Sequence, residues 1–520
     1  MNAHEDAVGI ETGAEATEPA VSAGVLSKSI QGGKWFLVSM IGQRFLNMVT
    51  FFVLARLLVP EDYGVITVIL VVLAFFGQFS NPAFGTAILQ RKGDVEKYLD
   101  AYWTFEVIRS FGIAFVIFCA SGVIVKWFNV DASYAYLVRF CGLFVVITSL
   151  SNVRMVYFFK RLDFFLVMVR DLAAQIAYAV IAIGFALFVD RSPAALFAGY
   201  VGMYATGTVF SHVICRSIPR VSFAFHRFRD LAGFGKWVYG QNLLDYAIQY
   251  TDKIALGRLM DPSQLGIYAK SKDLAAMPTA MVNTIITKVA MPAFSQIQDQ
   301  IEKVRAGFLK SLDVLLMVSL PAALLILLEG GSIVEILMGD RWFPIVEPLK
   351  IFAFGNIYYS VVPVLSAVFL AVGKPKVNFQ TNLAQLIISV PAMLIGLRVY
   401  GMKGLAIAIV AVWSFLFLYV LFRARRIIRI GKQHLVPLFI PGAFASITVI
   451  VLDVALRNAV HARDLVALNV AWVALLGIVY AVILFAVSRR LGGGPWETLI
   501  SILSELGLVR RKTETASVPA

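Results

Sequence analysis

Two polar stripes with the same spacing carry most of the chemistry this chain offers. Ser39, Gln43, Asn47 and Thr50 recur at intervals of four, four and three, and Gln241, Asp245, Gln249 and Asp252 repeat those intervals. Such spacing places each set on one face of a helix. Both stripes lie in apolar surroundings, where an unpaired polar group costs several kcal/mol, so these faces must turn away from lipid. Arg44 stands beside the first stripe, ten residues into its apolar run and about 15 Å deep at 1.5 Å per residue. A guanidinium at that depth costs at least a few kcal/mol unless it is paired or wet. Its chemistry is forked contact with phosphate or carboxylate oxygens, so it either serves an anionic ligand or balances Asp245. Gln43, Asn47, Gln241 and Gln249 supply neutral donors and acceptors around it. Asp245 suits a protonatable or Na⁺-binding coupling site, or an acceptor for sugar hydroxyls. Asp252 sits seven residues further along the same face and offers the same coupling chemistry. Lys270 and Lys272 open the following apolar run at similar depth, however, and can neutralise Asp252 in a structural pair.

Other deep charges are weighed against simpler roles. Arg109, Lys253 and Lys350 lie within two to three turns of a membrane face, where each can snorkel as an anchor. Together with Arg44, Lys270 and Lys272 they would give a basic lumen for an anion. Glu106, Arg139, Arg170 and Asp171 read as interfacial anchors.

The elements that must position these residues come as a repeat. Gly33-Lys34-Trp35 recurs 202 positions later as Gly235-Lys236-Trp237; Leu54, Arg56, Leu57, Pro60 and Gly64 recur as Leu256, Arg258, Leu259, Pro262 and Gly266, and Asn81 as Asn283. The chain is 59% hydrophobic and 15% charged, against about 25% charged in soluble domains, so most of it is meant for lipid. Apolar runs of about 20 residues define about fourteen spans, of which Pro82, Pro278 and Pro363 supply kink sites. The expected fold is all-α and polytopic: two parallel six-helix lobes, 34–217 and 235–423, around a central cavity, with two further spans in 435–487. Two copies crossing in the same sense, each hiding a polar face, is the plan of a two-lobed transporter. Residues 218–234 form a basic linker between the lobes.

Cation placement sets the expected orientation. With the amino terminus inside, inner segments hold about 28 Lys and Arg and outer loops about nine, so both termini are expected in the cytoplasm. The net charge of +14 is then a topology signal; charges scattered between spans exclude nucleic acid as a partner. Residues 1–33, with five acidic groups before residue 20, read as a disordered cytoplasmic tail. Phe294, Ile297, Ile301 and Val304 read as a short amphipathic helix on the inner face, and 488–520 as an amphipathic tail. Cys119, Cys141 and Cys215 fall within spans as small hydrophobes, and five dispersed histidines give no metal site or catalytic dyad. Gly492-Gly493-Gly494 lacks the Lys and Ser/Thr of a phosphate-binding loop, and no cofactor is expected.

The motifs together resemble a known family. Leu54-Ala-Arg-Leu-Leu-Val-Pro-Glu-Asp-Tyr-Gly64, then Asn81-Pro-Ala-Phe-Gly85 and Ile88-Leu-Gln-Arg-Lys92, are similar to the opening of the polysaccharide-transporter (oligosaccharide flippase) family of the multidrug/oligosaccharidyl-lipid/polysaccharide superfamily. Pro292–Gln298, Gly339–Pro344 and Glu347-Pro-Leu349 resemble its second-lobe motifs. The resemblance covers roughly residues 30–430. It implies a two-lobed fold that opens alternately to either side. It also implies a substrate, an oligosaccharide unit on undecaprenyl diphosphate moved across a bacterial inner membrane, with membrane lipids and a polysaccharide polymerase of the pathway as partners. Two other readings stay open at this point. An ion-coupled antiporter for cationic drugs would want an acidic lumen. A membrane glycosyltransferase or polymerase would need a sizeable outer loop with paired carboxylates, for which 329–344 offers Glu329, Glu335 and Asp340.

Overall fold

In a computed structural model the described residues are 18–80, 84–90, 95–161, 163–461, 466–491, 495–498 and 500. Apolar helices dominate throughout. The first lobe comprises α1 (Glu18–Leu57), α2 (Pro60–Ser80), α3 (Phe84–Gln90), α4 (Glu96–Trp127), α5 (Ala135–Phe140), α6 (Gly142–Ser149), α7 (Val156–Lys160), α8 (Phe164–Phe188) and α9 (Pro193–Cys215). The second comprises α10 (Arg229–Leu259), α11 (Pro262–Gln296), α12 (Ile301–Met338), α13 (Val346–Tyr359), α14 (Val361–Ala371) and α15 (Pro375–Ile427). Two more helices follow, α16 (Lys432–His461) and α17 (Val466–Leu491). Among the described residues, ten helical segments are long and apolar enough to cross a membrane. One of them, α15, folds back at Tyr400 and Gly401; Gly401 sits at φ +58°, a conformation that favours glycine. The helices α10 and α11 are as long as these but richer in polar residues, the ones expected to line a cavity.

The repeat is visible in the helix boundaries. Helices α1 and α10 end at the equivalent residues Leu57 and Leu259, and α2 and α11 begin at Pro60 and Pro262, prolines at a first helical position that needs no N–H. The caps differ: Asp261 accepts from Gln264 N–H at 2.9 Å, whereas Asp62 reaches back to accept from Val59 N–H at 2.8 Å. The lobes meet at this end of the molecule, helix start against helix start. A Cβ on Gly64 would lie 1.7 Å from the Pro262 carbonyl oxygen, and one on Gly266 would lie 1.9 Å from that of Pro60. Only glycine allows this reciprocal approach. Each α1–α2 or α10–α11 hairpin then reaches into the opposite lobe. Trp342 Nε1–H donates to the Ala55 carbonyl at 2.7 Å and Arg56 to that of Ile336, while Asn129 donates to the Arg258 carbonyl at 3.2 Å. Further along, α10 stays against α2, with Tyr239 Oη donating to Phe79 O at 2.9 Å, while α1 packs on α8 of its own lobe.

Several expectations change. Helix α1 begins at Glu18, so residues 18–33 are helical rather than part of a disordered tail; residues 1–17 lie outside the described part. The 218–234 linker is shorter than expected, because α10 begins at Arg229. Phe294 and Ile297 close α11 while Ile301 and Val304 open α12. Their side chains share one apolar cluster, but as two helix ends rather than as a surface helix. The expected outer connection at 329–344 is mostly helix: α12 runs to Met338, bent at Glu329, so this segment is not the open loop considered for a glycosyltransferase site. The tenth span breaks at Ser360, where Pro363 cannot donate to the Tyr359 carbonyl. Pro82, Asn81, Arg91, Lys92, the glycine run and residues 501–520 lie outside the described residues. Trp496, in the carboxyl-terminal segment, folds back on α17 and donates its backbone N–H to Ser488 Oγ at 2.7 Å.

Candidate functional site

The second lobe buries and pairs its charges. Asp252 is fully buried. It accepts from Lys272 Nζ at 2.5 Å, from Tyr268 Oη at 2.7 Å and from the backbone N–H of Lys253 at 2.8 Å. These three donors compensate a carboxylate that burial alone would make very costly. Lys270 turns to Asp273 at 3.3 Å and lies over the rings of Phe51 and Tyr63 in the first lobe. Lys253 lies over the Tyr250 ring. Asp245 accepts a 2.9 Å hydrogen bond from Gln241 rather than meeting Arg44, and Gln249 is exposed. Lys350 packs its aliphatic stem against Gly330. Of the cations expected to make a basic lumen, Lys270, Lys272 and Arg109 thus have carboxylate partners.

The first lobe is arranged differently. Helix α1 presents Ser39, Gln43, Arg44 and Asn47 to a cavity of about 350 Å³ whose opposite wall is α8, with Asp171 and Gln175. Gln43 Nε2 donates to Ser39 Oγ at 2.8 Å. Arg44 and Asn47 are exposed to this space. Among the described residues no carboxylate lies within ion-pair distance of Arg44, because Asp171 is held by Arg170 through contacts of 2.9 and 2.7 Å. Gln43, Asp171 and Gln175 also wall a second cavity of about 320 Å³ that contains Arg170, Thr148 and Ser151. Thr148 and Ser151 in turn wall a third, of about 390 Å³, with Glu106, Arg109 and Trp103. Glu106 and Arg109 pair one turn apart on α4. Three cations here face two carboxylates, which leaves one excess positive charge, and it resides on Arg44.

Arg44, Gln43 and Asn47, expected on neighbouring positions of one helix, line one cavity. Glu106, Arg170 and Asp171, expected as interfacial anchors, and Arg109, expected as an anchor or part of a basic lumen, all line these cavities. Arg139, by contrast, lies over the Phe118 ring. Gln175, only 8% exposed, was missed. The available signal was a lone amide four residues after Asp171 in an apolar run, the same spacing that flagged the stripe on α1.

Apolar helices in two like lobes, joined at one end, with polar cavities in the first, define a multi-pass membrane protein. The lipid II flippase MurJ in its inward closed conformation matches 88% of this chain and 99% of its own length with a TM-score of 0.67 at 12% identity. An inward-facing multidrug transporter of the MATE family covers 75% and 96% with a TM-score of 0.53 at 13% identity; at such identities the likeness is one of fold. The model of the polysaccharide biosynthesis protein family matches residues 53–347, more than half of the chain, and the protein belongs to that family. Its relatives include the lipopolysaccharide biosynthesis protein WzxC of Escherichia coli K12, 26% identical over 74% of this chain and 78% of the relative. The succinoglycan biosynthesis transport protein ExoT of Rhizobium meliloti is 22% identical over 68% of each chain. The protein is thus a multi-pass membrane member of the polysaccharide biosynthesis protein family.

Proposed function

We propose that this protein is a flippase that carries oligosaccharide units linked to undecaprenyl diphosphate across the bacterial inner membrane. In this reading the chain makes fourteen passes with both termini in the cytoplasm, and the lobes rock about the Gly64–Gly266 contact to expose the cavity to either side in turn. One observation carries it: Arg44, deep in an apolar helix, faces a polar cavity without a carboxylate partner among the described residues. An unpaired guanidinium at such a level is stable only if water or an anion solvates it. A diphosphate is a doubly charged headgroup that hydrocarbon excludes, and Arg44 gives it a forked contact while the polyprenyl tail stays in lipid. Relatives named for lipopolysaccharide biosynthesis and succinoglycan transport support this substrate class. Asp245, half-buried and hydrogen-bonded among the described residues only to the Gln241 amide, is the candidate for ion coupling.

The test is export of surface polysaccharide by cells that carry single variants. Arg44→Ala abolishes export with the protein inserted at normal abundance, and Arg44→Lys retains part of it, because a point charge attracts phosphate without forking. Asp245→Asn leaves export intact if Arg44 serves the ligand alone, and lowers it if Asp245 couples an ion. Wild-type export by Arg44→Ala overturns the reading.

A further inference from the structure

Among the described residues, all that wall the three cavities belong to the first lobe, between Phe36 and Thr208. They share walls in sequence: Gln43 and Asp171 between the Arg44 cavity and its neighbour, then Thr148 and Ser151 between that neighbour and the Glu106 cavity. Each is at the lower end of the about 300–1,000 Å³ typical of ligand sites. Side by side they make a segmented trough, with a cationic end and a distal end of different chemistry.

At the distal end, Glu106 Oε1 and Trp103 Nε1 are buried atoms that make no hydrogen bond of ordinary geometry among the described residues, although the Tyr102 hydroxyl lies beside the Glu106 carboxylate. One is an acceptor and the other a donor, and both wall the same cavity. A sugar hydroxyl satisfies both, as water does in its absence, because it donates one proton and accepts on two lone pairs. A phosphate would be repelled by Glu106, and an ammonium has nothing with which to accept from the indole. Midway along the trough, the Gln175 amide Nε2 is a further buried donor without a partner among the described residues, on a side chain only 8% exposed. Thr148 and Ser151 add hydroxyls, and Trp103 and Tyr102 add flat apolar surfaces of the kind that covers a ring face.

We infer that the first lobe alone holds the glycan of the transported lipid: sugar hydroxyls bind along the trough from Gln175 to Glu106 and Trp103, with the diphosphate at Arg44. The inference rests on the flippase reading and adds that recognition of the sugar is confined to one lobe. The second lobe, with Asp252 and Lys272 locked together, contributes closure rather than sugar contacts.

The experiment uses purified full-length protein and two probes: undecaprenyl diphosphate without sugar, and the lipid-linked oligosaccharide fraction extracted from cells making the polysaccharide. The wild type binds the glycan-bearing probe at least about tenfold tighter, a gain of about 1.4 kcal/mol. Glu106→Gln and Trp103→Phe each erase most of that difference while binding of the bare lipid stays within about twofold. Arg44→Ala weakens both probes alike. A second readout does not depend on those variants folding: Ser151→Cys, with Cys119, Cys141 and Cys215 changed to Ser, is labelled by a maleimide. The glycan-bearing lipid slows labelling and the bare lipid does not. Equal protection by both probes, or by neither, overturns the trough. If instead Arg44→Ala leaves binding of the bare lipid unchanged, the diphosphate reading falls, and the difference between probes judges the trough alone.

Discussion

The central helices of the two lobes share a backbone plan and use it in opposite ways. Position by position, Thr50 of α1 answers Asp252 of α10, Arg44 answers Tyr246, and Leu70 of α2 answers Lys272 of α11. Thr50 satisfies its own hydroxyl on the Leu46 carbonyl at 2.7 Å, where Asp252 requires Lys272 and Tyr268 from the neighbouring helix. Tyr246 is buried and stacks on Tyr250, where Arg44 stands in open cavity. A charge that is buried and fully paired holds two helices together; a charge that is exposed and unpaired is available to something else. In this molecule the depth of a charged residue therefore says less about function than whether a partner already occupies it.

Variants at equivalent positions test this contrast, beginning with the largest effect. Asp252→Ala leaves Lys272 without its carboxylate and should destabilise the protein by about 3–5 kcal/mol, the cost of breaking a buried pair from one side. Adding Lys272→Met should recover part of the loss in thermal melts of the solubilised full-length chain; equal losses in single and double variants would mean that the pair does not bear on stability. Next come Gly64→Ala and Gly266→Ala, which should each cost about 1–3 kcal/mol by overpacking against a carbonyl that cannot move aside as a side chain can. Here the lobes should behave alike, and a large effect from one glycine with none from the other would break the twofold contact. The smallest change is expected from Thr50→Val, at about 1 kcal/mol or less, since it removes one local hydrogen bond and strands no charge. If Thr50→Val proves as damaging as Asp252→Ala, the two lobes are not organised by different rules.

The repeat made much of this legible before any coordinates. Because Leu57, Pro60 and Gly64 recur at a fixed offset as Leu259, Pro262 and Gly266, helix ends in one copy specify those in the other. The stripe on α1 was readable for the same reason, since periodicity and depth are properties of a single helix. What could not be read depends on neighbours. Arg170 and Asp171 look like interfacial anchors until α1 is seen to face α8, and the Asp252 pair could have fallen to Lys270 as easily as to Lys272. The 329–344 segment reads as an outer connection in the sequence, whereas glycine's weak preference against helix does not stop α12 there. Packing overrode that weak preference, with Gly330 set against the stem of Lys350. The helical run from Glu18 was hidden by composition: acidic groups and small residues suit a disordered tail, yet alanine also favours helix.

The reciprocal approach of Gly64 and Gly266 also bears on how such a chain can evolve. In a symmetric dimer of identical subunits, residue i of one copy meets residue j of the other and j meets i, so a single mutation is felt at both contacts. Once two copies are fused into one chain, each side mutates separately, and the copies are free to become a binding half and a bracing half. Where backbone touches backbone across the axis, that freedom ends. A side chain gained at residue 64 collides with residue 262, and one gained at residue 266 collides with residue 60. Neither collision can be relieved by a compensating change of side chain on the other face. The two glycines are therefore the part of the ancestral duplication that divergence cannot erase, and they should persist in both halves after every polar residue around them has been exchanged.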